Sequence, residues 1–279
     1  MTTAFSSTNS AHPGTPQSGL KMTQRRVIAS EWTKFQSLRS TRWTLVIAVV
    51  LTVGVGAMMA AVAPSQYDQM DAGRQASFDS TTTSLTGVLF SQLAMGVLGV
   101  MVIAAEYSTG MIRSTLTVIP RRLPMLWAKL AVFAGVTFFV TLIASLVAFF
   151  LGQALMGSHN LDVSLSAPGA SGKILGAAVY VTLSGIIGIA VGSLLRHTAA
   201  GISTYVGVVL ILPLMAGFLP ASFSDHVVQY LPSNAGSVMF SGPGDIAHPL
   251  SPSSGFTVLL AYAIVLIGAA AWRLKTRDA

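Results

Sequence analysis

Six long apolar stretches organise the chain, running approximately from Trp43 to Ala63, Leu85 to Ala105, Leu130 to Leu151, Ile174 to Leu195, Gly201 to Leu219 and Phe256 to Trp272. At 1.5 Å rise per helical residue, each approaches or crosses a hydrocarbon layer of about 30 Å. The pattern predicts an all-α polytopic membrane protein with six transmembrane helices. Ahead of the first stretch, Ile28, Trp32, Phe35 and Leu38 recur at helical spacing, flanked by Glu31, Lys34, Arg39 and Arg42. An amphipathic helix over residues 27–42 is expected there, lying in the headgroup region with its apolar face down; the alternative is a plain extension of the first span into the cytoplasm. Residues 1–26 carry few large apolar side chains and read as a disordered arm. The spans occupy residues 43–272, and residues 273–279 form a short tail.

Charge then orients these spans. Fourteen of the sixteen Lys and Arg residues fall in the N-terminal arm, the loop from Glu106 to Lys129, the turn at Arg196 and the tail; only Arg74 and Lys173 fall on the other side. This bias predicts that both termini are cytoplasmic. The acidic residues divide oppositely, with Glu31, Glu106 and Asp278 inside and the other six outside. A cleavable signal peptide is a poor alternative, although Ala61-Val62-Ala63 resembles a cleavage site, because the apolar run starts late and Pro64 follows directly. The expected location is the inner (plasma) membrane.

The connections differ in character. Pro64 to Ser84 and Gly152 to Lys173 read as short solvent-exposed external segments, the latter turning at Pro168-Gly169. Pro220 to Gly255 is the largest external segment. Within it, Phe223 to Leu231 can form a short helix capped by Ser222 or Ser224, and Tyr230, Leu231, Val238, Met239 and Phe240 suggest packing back onto the membrane surface. Only Arg196-His197-Thr198 separates the fourth and fifth spans, which predicts a tight helical hairpin. Ser184, Gly188 and Gly192 repeat every fourth residue and predict a face for close helix packing. Pro213 predicts a kink or local unwinding in the fifth span.

Composition narrows the chemistry. With 52% apolar and 9% charged residues, the chain lacks the polar surface of an ordinary soluble domain, and its net charge of +7 requires no nucleic acid. It has no cysteine, which excludes disulfides and thiolate catalysis. No Asp, Glu, Lys, Arg or His lies in the middle of a proposed span, which argues against proton-coupled pumping. Neither a Walker A pattern nor a His-Glu-x-x-His zinc pattern is present, and the histidines are scattered among loops. Ser184 and Ser203 have no evident catalytic base. No catalytic, cofactor or metal site is expected in the chain.

One inner segment stands apart, Glu106-Tyr107-Ser108-Thr109-Gly110-Met111-Ile112-Arg113-Ser114-Thr115-Leu116, followed by Pro120-Arg121-Arg122. A short helix stopped before Pro120 would offer apolar and polar handles to a soluble partner. A plain topogenic linker accounts for Arg121, Arg122 and Lys129, but not for Tyr107, Met111, Ile112 and Leu116. Together with Ser30-Glu31-Trp32-Thr33-Lys34, Leu38-Arg39-Ser40-Thr41-Arg42-Trp43, Gly192-Ser193-Leu194-Leu195-Arg196 and Leu231-Pro232-Ser233-Asn234-Ala235-Gly236, this segment resembles the permease subunits of ABC-2-type exporters, of the single-permease kind common in high-GC Gram-positive bacteria. The resemblance covers about residues 27 to 277.

The resemblance implies that Val27 to Arg42 is a connecting helix. It also implies that Glu106, Tyr107, Gly110, Met111, Arg113 and Leu116 belong to a coupling helix docked on a soluble ATPase, and that the region of Phe223 to Leu231 caps the path outside. ATP would then be used by that separate subunit, and two permeases, identical or related, would pair within the lipid. A membrane assembly or sensory component with the same bundle is the alternative reading. A soluble nucleotide-binding domain encoded next to the chain would favour export.

Overall fold

The computed structural model describes residues 23–108, 122–216, 218, 220, 226–242 and 248–276. Every regular element among them is helical. The helices are α1 (Gln24–Ser37), α2 (Arg39–Tyr67), α3 (Ala72–Ala76), α4 (Ser80–Ser84), α5 (Val88–Ser108), α6 (Arg122–Met156), α7 (Ala170–Leu195), α8 (Thr198–Val206), α9 (Leu212–Ala216), α10 (Pro232–Ser237) and α11 (Pro252–Thr276). Six helical stretches are long and apolar enough to cross a membrane: α2, α5, α6, α7, α11 and the run Thr198–Ala216 that joins α8 to α9. All four tryptophans, Trp32, Trp43, Trp127 and Trp272, are exposed and lie where α1, α2, α6 and α11 meet the basic end of the bundle. Tryptophan favours such a boundary because its ring is apolar and its N–H seeks water or headgroups.

The N-terminal part departs from expectation in three ways. The helix begins at Gln24, inside the expected disordered arm, and ends at Ser37. Leu38 is extended, with φ −77° and ψ 118°, and Arg39 to Arg42 already belong to the first span. The Arg42 Nε donates to the Gln36 carbonyl at 2.9 Å, satisfying a C-terminal oxygen of α1 across the break. The apolar side chains of α1 also divide between two neighbours. Val27 and Phe35 are buried, whereas Ile28, Trp32 and Leu38 are exposed. Contacts from Gln24 to Pro124, Val27 to Ala128 and Phe35 to Phe133 advance together, so α1 runs alongside the first turns of α6.

Of all the spans, α7 is the most buried, and its small residues explain why. A side chain on Gly188 would collide with the Gly96 carbonyl, and one on Gly192 would press on the Val100 carbonyl and Ile103. Reciprocally, a side chain on Gly99 would strike the Gly185 carbonyl. The two helices therefore meet backbone to backbone. In lipid, where apolar side chains gain little by leaving the solvent, such close contact supplies much of the association energy. Ser184, on the same face, is 3% exposed.

Arg196, in the left-handed region at φ 56°, ends α7, and the His197 ring accepts from the Ala200 N–H at 3.3 Å to begin α8. The tight hairpin expected there is present. Further along, the backbone widens into a π-helical turn over Gly207–Ile211, immediately before Pro213. Proline has no N–H to offer the carbonyl four residues earlier, and a wide turn accommodates that loss.

The outer end is less exposed than its sequence suggests. Helix α2 continues through Pro64 to Tyr67. The expected loop ends in α4, where Ser80, Thr81 and Ser84 are buried. Polar side chains are tolerated there because Gln153 Nε2 donates to the Ser80 carbonyl at 3.2 Å and bonds Ser84 Oγ at 3.0 Å, while Lys173 pairs with Asp79. In the last external segment, residues 221–225 lie outside the described residues. The part of the expected Phe223 to Leu231 helix that follows them ends in a 3-10 turn over Val228–Tyr230, and α10 comes next. Val238, Met239 and Phe240 are buried in the bundle, with Phe240 stacked on Tyr180 at 5.6 Å, whereas Tyr230 is exposed.

Replacing Gly188 by Leu should cost at least the upper end of the roughly 1–3 kcal/mol typical of overpacking, because the new side chain meets backbone rather than a mobile side chain. Gly268, which has open space at its Cβ position, should accept Leu with little change. Thermal unfolding of both variants in detergent checks this contrast.

Candidate functional site

The chemically distinctive cluster lies at the basic end, where α1, the end of α5 and the start of α6 converge. Each contributes charge to one buried group. Glu31 sits on the same stripe of α1 as Val27 and Phe35, one helical turn from each, so packing α1 on α6 carries its carboxylate inward. Lys129 enters from α6 and Glu106 from α5; the residues are 4% and 6% exposed, and Glu31 is 3% exposed.

The ammonium of Lys129 bridges both carboxylates, 2.7 Å from Glu31 Oε2 and 2.9 Å from Glu106 Oε1. Lys34, more exposed, lies 3.0 Å from Glu31 Oε1 and 3.5 Å from Glu106 Oε1. Two positive and two negative side chains thus balance. This neutrality matters because an isolated charge out of water carries a penalty of several kcal/mol, which only close, hydrogen-bonded partners offset. Glu106 Oε2 is buried and has no hydrogen-bond partner among the described residues. Burial alone would raise the Glu31 carboxyl, but Lys129 and Lys34 outweigh it and hold the group below its ordinary value. For Lys34, burial acts downward and is outweighed by Glu31 and Glu106, so its ammonium is held above the ordinary value. Beside the cluster lies a cavity of about 330 Å³, walled mainly by Phe35, Leu38, Met101, Val102 and Val132.

These positions add to two expectations. Lys129, at the end of the inner segment, is also the centre of a buried ion network. Glu106, at the start of the expected coupling segment, is turned into that network. Tyr107 is packed beneath Arg196, whose guanidinium carbon lies 5.2 Å from the ring centroid. At the same end Arg273 donates to the Leu194 carbonyl, which joins α11 to the hairpin. Gly110, Met111, Arg113 and Leu116 lie outside the described residues, so the structure places only the beginning of the expected coupling segment. Of the packing residues, Ser184, Gly188 and Gly192 lie together on the face of α7 described above.

A second polar group spans the middle of the bundle and went unnoticed in the sequence. The Tyr180 hydroxyl donates to Gln92 Oε1, and the Tyr205 hydroxyl donates to the Gln92 carbonyl at 3.1 Å. Gln92, Tyr180 and Tyr205 are all buried. They join α5, α7 and α8 through neutral groups, so no charge is needed at that depth. Among the described residues no group of three or more His, Cys, Asp or Glu side chains is arranged to hold a metal ion. What the basic-end arrangement can do is mechanical. It fixes α1 to both helices that flank residues 109–121.

A family model described as ABC-2 family transporter protein matches residues 27–213, a stretch that contains all four charges of the cluster, the first four spans and most of the fifth. No curated protein matches the chain significantly.

Replacing Lys129 by Met should destabilise the basic end by about 3–5 kcal/mol, since two buried carboxylates lose their shared partner. Adding Glu106→Gln and Glu31→Gln to that variant should recover most of the loss. Hydrogen exchange along α1 checks both outcomes. The same readout should depend on acidity: the contribution of Glu31 is fully present above its ordinary value of 4.5 and is lost as the pH falls through the lower folded value.

Proposed function

Because the chain belongs to the ABC-2 family of transporter proteins, we propose that it is the membrane-spanning permease subunit of an ATP-driven exporter, powered by a separate soluble ATPase. The observation that carries this reading is the buried network joining Glu106 and Lys129, which flank residues 109–121, to Glu31 and Lys34 on α1. In this reading both termini and the basic end face the cytoplasm of a cell bounded by that plasma membrane, as the fourteen-to-two division of basic residues supports.

The coupling segment that begins at Glu106 and includes Met111, Arg113 and Leu116 docks on the ATPase. When two ATPase subunits close on ATP, the docked segments move, and the charge network passes that movement to α1, α5 and α6 together. Pulling Glu106 alone from Lys129 would strand buried charge, so displacement of the group as one body is the less costly motion. Two copies of the chain, or this chain and a related one, enclose the path. The large apolar side chains exposed on the spans are mainly Leu, Val, Ile and Phe, and a path formed between them suits apolar or amphipathic cargo.

Proteoliposomes holding the permease and its cognate ATPase should move cargo only with hydrolysable ATP, and imposed proton or sodium gradients should neither replace ATP nor be required. Arg113→Glu should insert normally but lower permease-stimulated ATP hydrolysis several-fold. Gradient-driven transport by the permease alone would contradict the reading. Unchanged stimulation in the variant would remove Arg113 from the contact.

A further inference from the structure

On the far side of Phe35 from the charge network, the break between α1 and α2 forms a groove of about 460 Å³. Trp32, Phe35, Leu45 and Val136 supply its apolar walls, and Gln36, Thr41 and Arg42 supply its polar rim. Phe35 is held edge-on against Phe133 at 6.2 Å, so that wall is fixed. Arg42 is exposed and uses its Nε on the Gln36 carbonyl, which anchors the guanidinium while its two terminal nitrogens remain available. No carboxylate among the described residues pairs with Arg42. The nearby Glu31 and Glu106 are already committed to Lys34 and Lys129. Thr41, 1% exposed, closes the floor of the groove beside Arg42.

A positioned guanidinium without a carboxylate partner among the described residues therefore stands at the mouth of an apolar groove, at the end of the bundle where all four tryptophans collect. We propose that this groove is a binding site for one anionic phospholipid of the surrounding membrane. Its phosphate rests on Arg42, and one acyl chain lies along Trp32, Phe35, Leu45 and Val136. Guanidinium binds phosphate through paired N–H donors, and a basic residue near an anionic leaflet gains further from its surface potential. The lipid would occupy the elbow through which α1 joins the first span. Occupancy would hold that elbow at a fixed angle.

The test uses the full chain in mild detergent, stripped of lipid and titrated with phosphatidylglycerol, phosphatidylcholine or glycerol phosphate, with retained molecules counted by native mass spectrometry. One phosphatidylglycerol should be retained at a concentration about tenfold below that needed for phosphatidylcholine. Arg42→Gln should abolish the preference and Arg42→Lys should keep part of it. Arg26→Gln removes an equal charge at the other end of α1 and should leave the preference intact. Val136→Trp, which fills the groove without changing charge, should weaken both lipids. Equal loss in Arg26→Gln and Arg42→Gln would show diffuse attraction to basic residues and overturn the site. An unchanged preference in Arg42→Gln would overturn it too, and displacement of the lipid by glycerol phosphate would overturn the acyl-chain half of the assignment.

Discussion

The Lys129 ammonium, held between Glu31 and Glu106, is the contact on which the basic end depends. Three helices distant in sequence meet there, and the attraction that joins them is set against a large desolvation cost. A network of this kind adds little net stability compared with apolar packing, yet losing any member is expensive because the others remain charged and dry. Its consequence is geometric. Helix α1 cannot leave α6, and Glu106 cannot leave Lys129, without an unpaired charge appearing in an apolar setting. The ends of the segment between α5 and α6 are consequently fixed relative to α1, and α1 leads directly through Leu38 into the first span. A force applied at Glu106 or Lys129 reaches α1 through these charge pairs.

The remainder of the bundle is held by different physics. Helices α5 and α7 approach until backbone carbonyls of one fill the space left by glycines of the other, and neutral hydrogen bonds from Tyr180 and Tyr205 to Gln92 tie α8 to that pair. At the outer end, α4 is secured by Gln153 and by the Lys173–Asp79 pair. The π-helical turn before Pro213 is where regular hydrogen bonding relaxes inside a span. Packed glycine faces are rigid, whereas a wide turn can change its winding at little cost. Movement delivered at the basic end therefore has a stiff centre to act against and a yielding element in the α8 to α9 run.

Much of this architecture was legible because its causes are periodic or local. Apolar runs gave six spans, Arg196-His197-Thr198 gave the hairpin, and Pro213 marked the irregular turn. Helix α4 was hidden because its polar composition imitates an exposed loop; its burial depends on Gln153, far away in sequence. The charge network was hidden for the same reason. Glu106 and Lys129 flank one short inner segment and resembled independent boundary residues, and only tertiary packing shows that both face Glu31. A trace did exist, however. Glu31 lies between Val27 and Phe35 at four-residue spacing, so a helix that buries both must also bury the carboxylate, and such a charge requires a partner. The break at Leu38 left no comparable trace.

Held by the charge network, α1 and the start of α6 should move as one body. Native cysteine is absent, so spin labels at Ala29→Cys and Ala131→Cys can report the distance between the two helices without background. Pulsed electron resonance on the permease with the proposed ATPase partner, compared between the nucleotide-free and ATP-trapped states, should give one narrow distance that is unchanged, and Lys129→Met should broaden and lengthen it. A shift of several ångströms between the two nucleotide states with Lys129 in place would show that the two helices move separately.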